Sequence, residues 1–154
     1  MEKNKALFLD RDGVINVDKG YVYKIEDFIF IDEIFKITEH FQNQGYLIFI
    51  VTNQSGIARK YYTEEDFRVL SEWMVNEFSK RKIKIHKVYH CPHHPEFSSA
   101  CDCRKPEPGM ILKAAKEFNL DLAQSVLIGD KDTDIEAGTK AGIGENYLIN
   151  KLKY

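Results

Sequence analysis

The chain has 154 residues, of which 44% are hydrophobic and 30% charged, and its formal net charge is −2. This composition is typical of a globular protein that buries its own core, and we expect one domain over residues 1–154. The charge gives no electrostatic reason to expect nucleic acid or an anionic membrane as partner. With neither a signal-peptide pattern nor a membrane-spanning apolar run, we expect a cytoplasmic protein with a small-molecule partner.

Short apolar runs with strand character alternate with amphipathic patterns typical of helices. The predicted strands are 6–9, 46–51, 87–90, 125–128 and 147–149. Predicted helices begin near Asp32, at Thr63, after Pro108 and after Asp132. This alternation predicts an α/β fold with a doubly wound, Rossmann-like parallel sheet and helices on both faces. Ligands of such sheets bind at the carboxyl ends of the strands, so candidate catalytic residues are sought there.

The first predicted strand leads into an acid pair, in the run Asp10-Arg11-Asp12-Gly13. Residues two apart in an extended segment point to the same side, so both carboxylates can face one pocket, and the glycine permits a sharp turn. Two carboxylates about 4 Å apart repel by roughly 4 kcal/mol at an effective dielectric constant of 20. The pair therefore needs a cation, a shared proton or exposure, and a divalent metal meets this need best.

Groups that suit a phosphate ester lie near two later element ends. After the second strand, the run Thr52-Asn53-Gln54-Ser55-Gly56 offers hydroxyl groups, amide side chains and unobstructed backbone N–H groups. Before the third helix, Arg104 and Lys105 supply positive charge, the first as a forked donor and the second as a point charge. These residues predict a phosphate clamp.

The fourth strand leads into further acids, in the run Gly129-Asp130-Lys131-Asp132-Thr133-Asp134. Taken singly, each of these groups is more typical of a turn or a helix cap than of catalysis. Their order is more informative, because acid pair, hydroxyl, lysine and second acid group fall at or near the ends of successive elements. A doubly wound sheet would bring all of them to one edge.

The three cysteines lie in one short segment beside histidines. In a reducing compartment this arrangement favours metal ligation over a disulfide framework. Cys91, His93, Cys101 and Cys103 suit a closed tetrahedral zinc site, with His94 as an alternative ligand. Structural zinc would order the loop 91–103, which has few apolar residues, and would position the basic residues that follow it.

In this order the strand-end motifs resemble those of the haloacid dehalogenase superfamily of phosphatases, across nearly the whole chain. The resemblance implies that Asp10 is the nucleophile, that Asp12 is the general acid and base, and that Thr52 and Lys105 steady the phosphoryl group. The fold is expected to be capless, because no insertion is long enough for a cap domain, and a monomer is the default expectation.

The same resemblance implies a catalytic magnesium ion. Its ligands would be the carboxylates of Asp10 and Asp130 and the backbone carbonyl of Asp12. Asp134 matches the second acid of the last motif and would support the metal site.

A narrower resemblance, to the heptose bisphosphate phosphatases, is carried by the zinc loop together with three runs: Asp18-Lys19-Gly20-Tyr21, Ser55-Gly56-Ile57-Ala58-Arg59 and Pro106-Glu107-Pro108-Gly109-Met110. It implies hydrolysis of the 7-phosphate of D-glycero-D-manno-heptose 1,7-bisphosphate, in the synthesis of nucleotide-activated heptose for lipopolysaccharide or another surface glycan. The substrate-binding residues would be Asp18, Lys19, Gly20, Tyr21, Asn53, Gln54, Ser55, Arg104 and Lys131. Lys60 departs from the pattern, where a glycine is expected.

Other functions fit parts of the pattern. Histidinol phosphate or another small sugar phosphate is the alternative substrate. A phospho-receiver signalling domain is also doubly wound and uses acids, a threonine and a lysine, but its phosphorylated aspartate follows the third strand. A non-catalytic zinc-dependent interaction module would leave the strand-end acids unexplained.

Overall fold

The computed structural model describes residues 2–98 and 101–151. Its strands are β1 (Ala6–Leu9), β2 (Leu47–Asn53), β3 (Lys87–Cys91), β4 (Val126–Gly129) and β5 (Glu145–Leu148). Its α-helices are α1 (Glu33–Asn43), α2 (Glu64–Lys80), α3 (Gly109–Phe118) and α4 (Asp132–Ala141). Single 3-10 turns cover Ile25–Asp27, Leu122–Gln124 and Ile149–Lys151.

All pairings between the strands are parallel, in the order β3-β2-β1-β4-β5. The predicted doubly wound sheet is therefore confirmed. The chain winds outward from β1 to β3 and then crosses back to place β4 on the other side of β1, which makes the β1–β4 boundary the topological switch point. This order differs from the 2-1-3-4-5 order of receiver-type folds, and the receiver alternative is wrong for this chain.

Alternating side chains of the sheet supply two cores, one on each face. Leu7 and Leu9 face α1 and α2, whose buried side chains include Ile34, Leu70 and Met74. Ala6 and Phe8 face the opposite way, toward α3 and α4, and the Phe8 ring stacks on Phe49 at 5.6 Å. All four β1 residues are completely buried, so β1 is fixed from both faces.

Every strand except β1 differs from its predicted limits, by one residue at an end for β3 and by one at each end for β4, and the larger differences in β2 and β5 have identifiable reasons. β2 continues through Thr52 and Asn53 because these residues pair with His90 and Cys91 of β3. β5 begins at Glu145, two residues before the predicted start, although its first residues are polar. It lies at the edge of the sheet with half-exposed side chains, where pairing with β4 rather than apolar burial determines the strand.

None of the helices in the described ranges is long and apolar enough to cross a membrane.

Helix α2 begins with a reciprocal cap. The Thr63 side chain accepts a hydrogen bond from the backbone N–H of Asp66 at 3.0 Å, and the Asp66 carboxylate accepts one from the backbone N–H of Thr63 at 2.9 Å. Two N–H groups at the helix start, which have no partner within the helix, are thereby satisfied. The cap helps to hold α2 against the sheet.

We expect Thr63→Ala to lower the free energy of unfolding by about 1 kcal/mol, because the N-terminal cap is lost. Thr139→Ala, at an exposed position inside α4, is the matched control and should change stability by less than about 0.5 kcal/mol. Urea denaturation followed by circular dichroism measures both values. Equal losses in the two variants would contradict a specific role of the cap.

Candidate active site

Asp10 follows β1 at the switch point, where its side chain is almost completely buried. One carboxylate oxygen, Oδ1, accepts hydrogen bonds from the Lys105 ammonium at 3.0 Å and from the backbone N–H of Arg11 at 2.9 Å. Burial raises the pKa of Asp10 to about 7; Lys105 opposes this rise, and the nearby carboxylates of Asp134 and Asp130 add to it. A buried acid in this setting needs positive charge to stay ionised.

Lys105 lies between the acids and is 4% exposed. Its ammonium donates to Asp10, to Asp134 and to the backbone carbonyl of Val51, which uses all of its donors. Burial by itself lowers the pKa of Lys105, but the carboxylates of Asp10 and Asp134 outweigh burial, and the net shift is upward. The lysine therefore remains charged.

The backbone of Lys105 is fixed by Asn53, whose side chain forms two hydrogen bonds with it. The Asn53 Nδ2 group donates to the Lys105 carbonyl at 3.2 Å, and its Oδ1 accepts from the Lys105 N–H at 3.0 Å. The loop before α3 is thus joined to the end of β2. This contact positions the lysine more firmly than its loop location would by itself.

Asp130 and Asp134 complete an acidic cluster with Asp10, in which one oxygen from each residue lies within 4.8 Å of the others. Asp134 uses one oxygen for Lys105 and the other for the backbone N–H groups of Asp130 and Lys131, at 3.1 and 3.2 Å. It therefore shapes the turn that carries Asp130. Burial raises the pKa of Asp130, and its Oδ1 is buried without a hydrogen-bond partner among the described residues.

Gly13 lets the loop after β1 approach Asp130. Its φ is +91°, and a Cβ atom at this position would lie 2.1 Å from Oδ2 of Asp130. Both the left-handed backbone and the close approach require glycine. The carboxylates of Asp10 and Asp130, of which Asp130 Oδ1 has no partner among the described residues, form a hard oxygen donor set that fits Mg²⁺.

Asp12 is held by three side chains rather than by the acidic cluster. Its carboxylate accepts hydrogen bonds from Arg11 at 2.9 Å, from Asn16 at 3.0 Å and from Gln54 at 3.2 Å. Arg11 is 1% exposed and also donates to the carbonyl of Val22 at 2.7 Å. Arg11 and Asn16 were not predicted as site residues, although a basic residue between two acids at a buried strand end was an available signal for Arg11.

Gln54 joins Asp12 to the end of β2. Its amide nitrogen donates to Asp12 and, at 3.0 Å, to the hydroxyl oxygen of Thr52, while its amide oxygen accepts from the Tyr62 hydroxyl. Thr52 is 1% exposed, so its hydroxyl is close to the site but covered. Tyr62 is a further site residue that the sequence analysis missed, because it lies in a loop without a recognisable motif.

Two adjoining cavities open above these residues. The inner one, about 60 Å³, is lined by Asp10 and Asp12 together, as the spacing of the acid pair predicted, and by Lys105 and Lys131. The outer one measures about 430 Å³. Its walls include most of the predicted substrate residues: Asp18, Gly20, Tyr21, Asn53, Gln54, Ser55, Arg104 and Lys131. Lys19 is exposed and is not among the lining residues, whereas Arg59, which was not assigned, is.

The predicted zinc ligands also meet. Donor atoms of Cys91, His93, Cys101 and Cys103 all lie within 4.8 Å of one another. Three contacts, Cys91–His93 at 3.5 Å, Cys91–Cys101 at 3.6 Å and His93–Cys103 at 3.3 Å, approach the ligand spacing of about 3.5 to 3.8 Å in a tetrahedral zinc site.

Two details differ from the expectation for this loop. Cys91 and Cys103 form a disulfide-like pair, where only metal ligation was expected. A disulfide alone does not explain why Cys101 and His93 converge on the same point. The prediction of His94 as an alternative ligand is wrong, because this residue lies outside the cluster. Its Nε2 is 3.0 Å from Nη2 of Arg59.

The strand order, the acids after β1 and β4, and the lysine between them define a hydrolase of the haloacid dehalogenase type. A family model described as HAD-hydrolase-like matches residues 102–145.

Proteins of similar sequence identify the family within this class of hydrolases. A D-glycero-alpha-D-manno-heptose-1,7-bisphosphate 7-phosphatase from Campylobacter jejuni is 57% identical, over 98% of this chain and 86% of that protein. The corresponding beta-anomer enzyme from Haemophilus influenzae is 45% identical, over 97% of this chain and 84% of that protein. The solved structure of D,D-heptose 1,7-bisphosphate phosphatase from B. bronchiseptica, complexed with magnesium and phosphate, matches this fold with a TM-score of 0.84. The match covers 92% of this chain and 78% of that chain, at 29% sequence identity. The chain belongs to the family of D-glycero-manno-heptose-1,7-bisphosphate 7-phosphatases, as its motifs predicted.

The raised pKa of Asp10 generates a test of the site. Between an ordinary value of 3.8 and about 7, the native protein holds a proton that the unfolded chain has released, so this residue destabilises the metal-free fold as pH rises. Asp10→Asn resembles the protonated form and lacks this pH dependence. Its free energy of unfolding relative to that of the parent should therefore increase as the pH rises from 5 to 7.5.

Urea denaturation in buffer without added magnesium measures this difference at each pH. Asp27→Asn, at an exposed position, is the control and should show no such trend. An advantage of Asp10→Asn that stays constant with pH would contradict the raised pKa.

Proposed function

We propose that this chain hydrolyses the 7-phosphate of D-glycero-D-manno-heptose 1,7-bisphosphate through an aspartyl-phosphate on Asp10. The observation that carries the proposal is the buried Asp10 carboxylate, bonded to Lys105, beneath a pocket lined by positive charge and hydrogen-bond donors. The substrate is supported by the relatives, which are named as 7-phosphatases of this heptose bisphosphate. Those names divide between the two anomers.

The reaction takes two steps. In the first, the Asp10 carboxylate attacks phosphorus, the bond from phosphorus to the heptose 7-oxygen breaks, and Asp12 gives its proton to that oxygen. In the second, Asp12 takes a proton from water, which attacks phosphorus and breaks the bond to Asp10. Heptose 1-phosphate leaves after the first step and inorganic phosphate after the second, which regenerates the Asp10 carboxylate and the protonated Asp12.

The pocket supports these steps mainly by charge and position. Lys105 already contacts Asp10, so its charge lies beside the transferring phosphoryl group. Gln54 orients Asp12, and its bond to Thr52 keeps that hydroxyl near the same group. The backbone and side chains of Asn53 and Ser55 would bind the remaining phosphate oxygens.

Magnesium fits the carboxylates of Asp10 and Asp130, with the backbone carbonyl of Asp12 as a further ligand. When bound, the ion would neutralise negative charge on the phosphoryl group. Asp134 would support it indirectly, because this residue orients both Lys105 and the turn that carries Asp130. A similar protein from B. bronchiseptica has been solved with magnesium and phosphate, which supports this assignment.

We further propose one capless domain that acts as a monomer in the cytoplasm on a small sugar phosphate. No cap domain interrupts the described chain, so irregular loops rather than a lid wall the outer cavity. A reducing compartment would keep the thiols of Cys91, Cys101 and Cys103 available for metal.

A substrate comparison tests the proposed function. With magnesium, kcat/KM for heptose 1,7-bisphosphate should exceed the values for histidinol phosphate and fructose 1,6-bisphosphate by at least about tenfold, or about 1.4 kcal/mol of transition-state stabilisation. Asp10→Asn should fold and lose turnover by at least about 10³-fold, whereas Asp27→Asn should retain it. A clear preference for histidinol phosphate would contradict the proposed heptose substrate. Substantial activity of Asp10→Asn would contradict the assignment of Asp10 as the nucleophile.

The Cys91, His93, Cys101 and Cys103 cluster is proposed to hold structural zinc. Elemental analysis after purification without added metal should find about one equivalent of zinc per chain. His93→Gln should lose at least half of it, whereas the neighbouring His94→Gln, outside the cluster, should keep it. Zinc-free protein with an oxidised Cys91–Cys103 pair by mass spectrometry would contradict the proposal.

A further inference from the structure

Arg59 lies at the wall of the outer cavity, where it has no anionic partner within residues 2–98 and 101–151. Its guanidinium lies 4.9 Å from the centre of the Phe97 ring and 5.9 Å from that of Tyr21. Its Nε group is buried with no hydrogen-bond acceptor among the described residues, and it forms no salt bridge within those ranges. A half-buried guanidinium in this state has unused donors, and leaving them unpaired is costly.

The one polar contact of the Arg59 side chain in the described part of the chain does not satisfy the guanidinium fully. Its Nη2 faces Nε2 of His94 at 3.0 Å, but Nδ1 of the same ring faces the backbone N–H of Glu96 at 3.1 Å. A neutral imidazole accepts a hydrogen bond at only one nitrogen. If Nδ1 accepts from Glu96, Nε2 carries the proton and cannot accept from Arg59.

The carboxylates that line the same cavity are engaged elsewhere. Asp12 is bonded to Arg11, Asn16 and Gln54, and Asp18 accepts from the backbone N–H of Gly20 at 2.9 Å. Arg59 lines the outer cavity but not the inner one, where Asp10 and Asp12 meet. The Arg59 side chain therefore borders the part of the pocket that lies outside the inner cavity.

We propose that Arg59 binds the phosphate group that stays on the sugar, and so selects a bisphosphate over a monophosphate. This assignment rests on the proposed function and adds a specificity residue to it. A cavity of about 430 Å³ has room for a sugar with two phosphate groups. Arg59 can grip a phosphate with two parallel N–H donors, and the rings of Phe97 and Tyr21 limit where the guanidinium can turn.

The test compares kcat/KM for heptose 1,7-bisphosphate with kcat/KM for heptose 7-phosphate, which has the same reacting end. Arg59→Met should lower the ratio of the two by about 10- to 100-fold, because charge-assisted bonds to one substrate alone are lost. Arg59→Lys should fall between the parent and Arg59→Met, since it keeps the charge without the fork. Arg68→Met, on the exposed face of α2, is the matched control and should leave the ratio unchanged.

Direct binding provides a second readout. By isothermal titration calorimetry, heptose 1-phosphate should bind Arg59→Met at least about tenfold more weakly than it binds the parent. The assignment would be overturned if folded Arg59→Met kept the parent's ratio of the two kcat/KM values and the parent's affinity for heptose 1-phosphate. It would also be overturned if this ratio fell in Arg104→Met but not in Arg59→Met. A parent enzyme that prefers histidinol phosphate to both heptose esters would instead overturn the proposed function, and this assignment with it.

Discussion

The ammonium group of Lys105 is the interaction on which the site depends. It is buried between Asp10 and Asp134 and donates to both, as well as to the carbonyl of Val51. Without it, two buried carboxylates would face each other with no cation between them, and removing one partner of a buried ion pair typically costs about 3 to 5 kcal/mol. The lysine thus links the charge balance of the site and local stability in one group.

The Lys105 ammonium can neutralise both carboxylates only if several segments that are distant in sequence are aligned. Asn53 joins the end of β2 to the backbone of Lys105, and Asp134 joins Lys105 to the turn after β4. Gly13 allows the loop after β1 to lie against Asp130. Each contact crosses from one strand end to another, so the parallel sheet and its switch point are the physical reason that these residues meet.

The buried parts of the fold could be predicted closely from the sequence, whereas its edges could not. The limits of β1 agree with the prediction because every side chain of this strand is buried, which requires an unbroken apolar run. β5 begins at Glu145, and its polar start could not be recognised because hydrogen bonding to β4 determines it. Thr52 and Asn53 were expected after the strand but belong to it, because β3 supplies their pairing partners.

The same contrast holds in the site. Residues whose type and spacing indicate a chemistry, such as Asp10, Lys105 and the cysteines of loop 91–103, could be named from the sequence. Residues that act by contact were not named: Arg11 lies between two acids, which was an available signal, whereas Tyr62 and Arg59 became apparent only through the hydrogen bond and the cavity to which folding brings them. His94 shows the reverse case, a suitable ligand by type that tertiary structure turns toward Arg59.

The sequence by itself determined the doubly wound class, the acids and lysine at the strand ends, and the set of thiols and imidazole that can hold a metal. These follow from local periodicity and from the chemistry of single side chains. Only the tertiary structure decided which charges neutralise each other, which oxygen of Asp130 has no partner among the described residues, and which of the two cavities Arg59 lines. Those properties depend on distances between segments far apart in the chain, and the packing of the sheet sets these distances.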